Sequence, residues 1–320
     1  MKKAIFEVVK PGLLTTVQDI GRYGYQQYGI VVSGAMDQFA HRLGNLLVGN
    51  EPTSATLEVT MMGPKLQVLE DTVIAITGAN LSVTIDNQPI EPWKSLFVKK
   101  GEILSFGKPE QGVRAYIAVM GGFEGEQVLG SKATYLKAKM GGIAGRELEK
   151  GDVLYCGQMT GSFEKLSGRI VSRQLLLNYE QTMPFRVVLG PEEKSFTEAG
   201  LKTFFSESFE ITREIDRMGC RLSGPVIEHK KKADIISDAI TFGTIQVPAS
   251  GQPIILLADR QTSGGYARIG TIITVDLPRL AQQMPGTKIR FEQISIEEAQ
   301  QLYVAQEQAI KRFRAASNTE

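Results

Sequence analysis

The sequence predicts a mainly β protein of two similar halves with a few helices, and three observations carry that prediction. Short β-branched runs recur between Gly and Pro punctuation, at a spacing that suits barrels or sandwiches rather than alternating βαβ units. Several polar motifs of the first half are echoed in the second. Helical periodicity is confined to three well-signposted stretches.

Taken in order, Phe39, Leu43, Leu46 and Leu47 form an apolar helical stripe that stops at Gly49-Asn50. Val73 to Ile76 and Leu81 to Ile85 read as strands, and Asp86-Asn87-Gln88-Pro89 as the turn that follows. Ala115 to Val119 is the next strand. Ser195-Phe196-Thr197-Glu198 reads as a capping box leading to Leu201, Phe204 and Phe205. Ile254 to Leu257 and Thr271 to Val275 are strands. Ser295-Ile296-Glu297-Glu298 is a second capping box, opening a helix with Ala299, Leu302, Tyr303, Ile310 and Phe313 on one side.

The echo runs as follows. Gly63 to Val68 precedes an apolar strand ending in Thr77-Gly78-Ala79-Asn80, and Gly243 to Val247 precedes one ending in Ala258-Asp259-Arg260-Gln261. Asp19 to Gly24 resembles Asp216 to Arg221. Unequal gaps make this a divergent duplication and no solenoid. A polar boundary near Ser167 to Pro184 gives an N-terminal domain over 1–170, a C-terminal domain over 184–295 and a helix with tail over 296–320.

Bulk composition narrows the classes. Of 320 residues, 42% are hydrophobic and 22% charged, the balance of a folded globular chain. A net charge of +1 without charge blocks argues against nucleic acid and against a polybasic membrane anchor. The N-terminus has no signal-peptide pattern, and no apolar run approaches the ~18 residues of a membrane span. Cys156 and Cys220 alone make no disulfide scaffold, so a cytoplasmic, reducing compartment is expected.

Much chemistry is excluded. His41 and His229 are the two histidines, too few for a zinc spacing, and both read as surface or helix-face residues; no metal is expected. No Gly-x-Ser-x-Gly elbow occurs. Gly190-Pro191-Glu192-Glu193-Lys194-Ser195 lacks the Gly before Lys that a phosphate loop needs, and reads as a strand exit. Ala138-Lys139-Met140 follows Lys137 within a large domain, so covalently bound biotin is not expected.

Three polar clusters remain. Thr15-Thr16-Val17-Gln18-Asp19-Ile20-Gly21-Arg22 with Ser33-Gly34-Ala35-Met36-Asp37 places polar groups between glycines that permit tight bends. The alternative is a structural loop braced from Asp to Arg, with an N-cap at Ser33 or Asp37. Ile235-Ile236-Ser237-Asp238 with Gly243 to Pro248, including Gln246, forms the second. Asp259-Arg260-Gln261-Thr262 is the third, directly after an apolar strand. Its carboxylate, guanidinium, amide and hydroxyl could bind a carboxylate through Arg, an amide through Gln, and offer Asp as a base. A structural salt-bridge knot is the alternative.

These stretches, with Asp216-Arg217-Met218-Gly219, Gly130 to Thr134, Gly264-Gly265-Tyr266 and Asp276 to Leu280, resemble the KipA family. That family is also known for the C component of 5-oxoprolinase and as allophanate hydrolase subunit 2. The resemblance runs from about Pro11 to Ala299. It implies two cyclophilin-like β-barrel halves. It also implies a KipI-like B component and a LamB/YcsF-like A component, which complete an ATP-dependent 5-oxoprolinase opening 5-oxo-L-proline to L-glutamate. A carboxyltransferase component of a biotin-dependent urea or amide carboxylase, and a regulatory antagonist of a KipI-like kinase inhibitor, are the alternatives. Combined with the residue chemistry, the expected catalytic residues are Asp259, Arg260 and Asp19. The expected substrate-binding residues are Thr16, Gln18, Arg22, Arg217, Ser237, Gln246, Gln261 and Thr262. ATP would be used by the complex, since this chain carries no nucleotide loop.

Overall fold

A computed structural model describes residues 2–179 and 183–318. The chain separates into two compact units: Met1–Arg22 with Ser33–Tyr179 and Gln308–Glu320, and Tyr23–Val32 with Glu180–Glu307. Tyr23–Val32 groups with the second unit, and the last helix divides between the two. Composition marks a local linker, whereas such grouping follows from contacts distant in sequence.

The first unit holds β1 (Lys3–Lys10), β2 (Leu14–Gln18), α1 (Gln38–Leu47), β3 (Thr56–Thr60), β4 (Lys65–Val68) and β5 (Thr72–Asn80). There follow β6 (Thr84–Ile85), β7 (Gln88–Pro89), β8 (Lys94–Val98), β9 (Ile103–Ser105), β10 (Gln111–Val119), β11 (Val153–Cys156) and α2 (Phe163–Leu166). Two antiparallel sheets form, in the orders β11-β1-β4-β9-β6-β7 and β2-β3-β10-β5-β8. Side chains of a strand alternate between its faces, and the central strands use both. From β5 and β10, Ile74, Ile76, Ala115, Ile117 and Val119 join the core between the sheets. Val73, Ala75, Tyr116 and Ala118 join a second core beneath α1, with Phe39, Leu43 and Leu47. Burial on both faces is why these strands read as continuous apolar runs. Asp37 caps α1, its side chain accepting from the Ala40 N–H at 2.8 Å.

Leu81 to Ile85 gives strand only at Thr84–Ile85. The predicted turn after it holds Asp86 and Asn87 at φ 47° and 66°, the primed geometry that joins β6 to β7.

In the second unit lie β12 (Phe185–Leu189), α3 (Glu198–Ser206), β13 (Phe209–Ile215), β14 (Gly219–Ser223), β15 (Asp234–Ala239) and β16 (Thr244–Gln246). After these come β17 (Ile254–Leu256), β18 (Ser263–Tyr266), β19 (Arg268–Ile272), α4 (Leu277–Ala281), β20 (Lys288–Ile289), β21 (Phe291–Gln293) and α5 (Ile296–Asn318). Eight strands make one nearly closed barrel sheet in the order β20-β13-β14-β17-β16-β19-β12-β21. Every pairing in it is antiparallel except β12 with β21. A separate ribbon pairs β15 with β18. Phe204 of α3 stacks on Phe291 with ring centroids 4.5 Å apart, fixing the helix to the barrel.

Two helix starts contrast. The Ser295–Glu298 box forms reciprocally: the Glu298 N–H donates to Ser295 Oγ at 3.2 Å, and Ser295 N–H to Glu298 Oε2 at 3.1 Å. The Ser195–Glu198 box does not. Phe196 is buried against the His229 ring and bridged to it in extended conformation, so the cap moves to Thr197, which accepts from Gly200 N–H at 2.9 Å. Cys156 on β11 and Cys220 on β14 are buried. No helix among the described residues is long and apolar enough to cross a membrane.

Candidate functional site

In the second unit, β17 ends at Leu256 and the chain turns through Leu257 to Thr262 before entering β18. At that turn Asp259 and Arg217 form a bidentate pair, with Arg217 Nε to Oδ2 and Nη2 to Oδ1 both at 3.0 Å. The Asp259 N–H also donates to the Arg217 carbonyl at 2.7 Å. Both side chains are buried. Asp259, expected as acid or base, therefore has each carboxylate oxygen occupied, which is the geometry of a brace.

Arg260 differs from its neighbour. It is 8% exposed, yet among the described residues its guanidinium donates only to backbone oxygens, Leu257 at 3.2 Å and Ile240 at 3.4 Å, and faces the Phe242 ring at 5.9 Å. Burial pulls its pKa below the ordinary arginine value, with Tyr23 and Asp259 acting weakly in the opposite direction.

A cavity of about 580 Å³ opens beside these groups, lined by Arg260, Gln261, Gln246, Tyr266, Leu256 and residues of β13 and β14. Gln246 is buried, and its Nε2 donates to the Tyr266 carbonyl at 3.3 Å. A Cβ at Gly264 would sit 2.4 Å from that nitrogen, so glycine there leaves the amide its place. Of the expected residues, Arg260, Gln246 and Gln261 line this cavity, while Arg217, Asp259, Ser237 and Thr262 do not. Ser237 lies exposed on β15.

The near-miss phosphate loop is also settled by its contacts. Glu192 Oε2 and Oε1 accept from Arg268 Nε and Nη2 at 2.7 and 2.6 Å. A carboxylate at the centre of that turn excludes a phosphate cradle there.

The remaining expected residues are in the first unit. Asp19 accepts from the Gly21 N–H at 2.7 Å, Ser131 Oγ at 2.7 Å and the Lys132 N–H at 2.6 Å. Arg22 donates to the Ala133 and Val128 carbonyls. Together they clasp residues 19–22 to the loop 128–133. Gln18 Nε2 reaches Thr16 Oγ1 and the Thr134 carbonyl, both at 3.0 Å. Its Oε1 is buried without a hydrogen-bond partner among the described residues, as are Ser33 Oγ and His41 Nε2.

Beside this clasp lies a buried polar chain that sequence reading missed. Glu58 Oε2 accepts from Tyr116 OH at 2.7 Å and from the Met36 N–H at 2.8 Å. Tyr116 OH in turn accepts from the Asp37 N–H at 2.7 Å, and Asp37 Oδ2 accepts from Tyr179 OH at 2.8 Å. Burial holds the Tyr116 phenol well above its ordinary pKa, with Glu58 and Asp37 adding to the effect. The only available signal was a charged residue in an apolar strand pattern, Glu58 between Leu57 and Val59. His41, expected at the surface or on a helix face, lies on α1 and is fully buried. Its Nδ1 lies 2.9 Å from Thr56 Oγ1, and burial pushes its pKa from 6.5 down to about 4.

Comparison with known proteins fits this architecture. A family model described as the carboxyltransferase domain, subdomain A and B, matches residues 28–293. The chain is 37% identical to the C component of 5-oxoprolinase from Escherichia coli (strain K12), over 92% of this chain and 93% of that protein. Identity to the corresponding 5-oxoprolinase component of Haemophilus influenzae is also 37%, over 90% of each. The crystal structure of the K. lactis urea amidolyase superposes with a TM-score of 0.90 at 31% identity over 98% of this chain. This chain spans only 20% of that larger protein. The chain thus belongs to the family of carboxyltransferase domains with subdomains A and B.

Proposed function

We propose that this chain is the C component of an ATP-dependent 5-oxoprolinase, which hydrolyses 5-oxo-L-proline to L-glutamate together with components A and B. The observation that carries the reading is the end-to-end likeness, 37% identity, to two bacterial proteins of that name. A lactam is a stable amide, and phosphorylating its oxygen from ATP activates the carbonyl carbon. Water adds there, the ring C–N bond breaks to free the amine, and the acyl phosphate that remains hydrolyses to the carboxylate and phosphate. The chain has no phosphate loop, so another polypeptide supplies the nucleotide site, with a KipI-like B component and a LamB/YcsF-like A component as partners. Working in the cytoplasm suits such a complex.

The likeness to urea amidolyase supports a second reading, a carboxyltransferase component of a biotin-dependent urea or amide carboxylase. It ranks lower because this chain covers a small fraction of that protein. The test is reconstitution. The purified chain should release no glutamate from 5-oxoproline and ATP, and addition of the A and B partners should start turnover. Robust turnover by this polypeptide alone would contradict its assignment as one part of a larger enzyme. Silence of the full set, with carboxyl transfer from a biotinylated carrier, would favour the second reading.

A further inference from the structure

Two buried arginines serve the turn that follows β17, Arg260 within it and Arg217 reaching Asp259 from the turn between β13 and β14, and only one has its charge answered. Arg217 is neutralised by Asp259 at 3.0 Å on two edges. Arg260 is as deeply buried, and no carboxylate among the described residues pairs with it. Its Nε and Nη1 rest on backbone oxygens, which leaves Nη2 without a hydrogen-bond partner among the described residues, on a side chain that lines the cavity. A buried guanidinium lacking a counter-charge is unfavourable unless an anion arrives to complete it. Other charges at this cavity do not supply one. Arg221 is paired with Glu214 at 2.9 Å on the exposed rim, and Asp216 Oδ1 is occupied by the Met218 and Gly219 N–H groups.

The opposite requirement is met on the same cavity by Gln246. Its Nε2 is committed to the Tyr266 carbonyl, and its Oε1 accepts no hydrogen bond among the described residues. Gly264 backs the amide closely and keeps it in place. An amide oxygen held this way is an acceptor for a ligand N–H.

We propose that this cavity binds a small cyclic amide carrying a carboxylate, with Arg260 anchoring the carboxylate and Gln246 Oε1 accepting from the lactam N–H. The proposal rests on the 5-oxoprolinase reading for the identity of the ligand and on geometry for the anchor. It separates the roles of two adjacent charged residues: Arg260 touches the ligand, and Asp259 with Arg217 shapes the turn that presents it. At about 580 Å³ the cavity has ample room for one five-membered ring.

The test uses the full-length chain, alone and in complex with its partners, and reads ligand-induced thermal stabilisation and calorimetric affinity. Probes are 5-oxoproline, 2-pyrrolidinone (the same lactam without its carboxylate) and inorganic phosphate. 5-Oxoproline should bind and 2-pyrrolidinone should not. Arg260→Met should weaken 5-oxoproline about thirtyfold or more while the unliganded protein keeps its melting temperature or gains some. Gly264→Ala, which displaces the Gln246 amide, should weaken 5-oxoproline yet leave any phosphate binding intact. This second variant also covers the case in which Arg260→Met fails to fold. Undiminished 5-oxoproline affinity in Arg260→Met, alone and in complex, overturns the anchor. Phosphate binding that depends on Arg260, with no response to 5-oxoproline, upholds the anchor and rejects the lactam. No response of the parent protein to any probe, in either form, overturns the site.

Discussion

Arg217 and Asp259 meet edge to edge, two 3.0 Å hydrogen bonds between a guanidinium and a carboxylate that are each almost wholly removed from water. Taking away one partner strands the other as a buried, uncompensated charge. Asp259→Asn should therefore lower the unfolding free energy by about 3–5 kcal/mol in urea denaturation. Replacing both at once, Arg217→Met with Asp259→Leu, should lose markedly less than the single change. An unchanged midpoint for Asp259→Asn with turnover of the complex abolished would return the carboxylate to the catalytic role that the strand-end motif implied.

Asp19 supports a different structure, the clasp to the loop 128–133. Its three donors lose their acceptor in Asp19→Ala, at a cost of about 2–3 kcal/mol. Amide hydrogen exchange should quicken most at Gly21 and Lys132, whose N–H groups it holds. Exchange unchanged at those two amides would show that the clasp does not depend on this carboxylate.

His41 makes stability depend on pH. Its folded pKa of about 4 lies below the ordinary 6.5, so the unfolded chain takes up the proton first as pH falls. The native state keeps its full advantage above about pH 6.5 and loses it progressively down to about pH 4, by about 3 kcal/mol at most. Denaturation midpoints measured across that interval should show a steeper fall for the parent protein than for His41→Gln. Parallel slopes would mean that the imidazole stays solvated.

Gly34 sits at φ 88°, and a Cβ there would lie 2.7 Å from the backbone of Ile20 and Gly21. Neither neighbour is a flexible side chain that can swing aside. Gly34→Ala should cost at least about 2 kcal/mol from the dihedral alone, with more from the collision. A variant as stable as the parent in calorimetry would refute the close approach of these two turns.

Local patterning revealed what depends on neighbours in sequence. The stripe from Phe39 to Leu47, the reciprocal cap at Ser295 and Glu298, and the strands around Ile74, Ile117 and Ile255 all follow from short-range periodicity and turn chemistry. Family likeness supplied the barrel halves. What stayed hidden depends on partners far along the chain. Glu58, Tyr116, Asp37 and Tyr179 come from β3, β10, the α1 cap and a segment more than fifty residues further on, and no window contains them together. Asp259-Arg260 reads as one polar pair, yet the residue that matters to Asp259 is Arg217, 42 positions earlier. Ser195 looked like a cap because its hydroxyl chemistry is right. The packing of Phe196 against His229 decided otherwise.

The two buried cysteines have a practical consequence. Cys156 lies in the first unit and Cys220 in the second, and the sequence contains no others. Burial suppresses thiolate formation at Cys156, so a thiol reagent reaches it only when its surroundings come apart. Each half thus carries its own chemical clock. With Cys156→Ala or Cys220→Ala, the labelling rate of the remaining thiol times the opening of one half without interference from the other. Equal rates would mark the halves as a single cooperative body, and a fast and a slow clock would mark them as two.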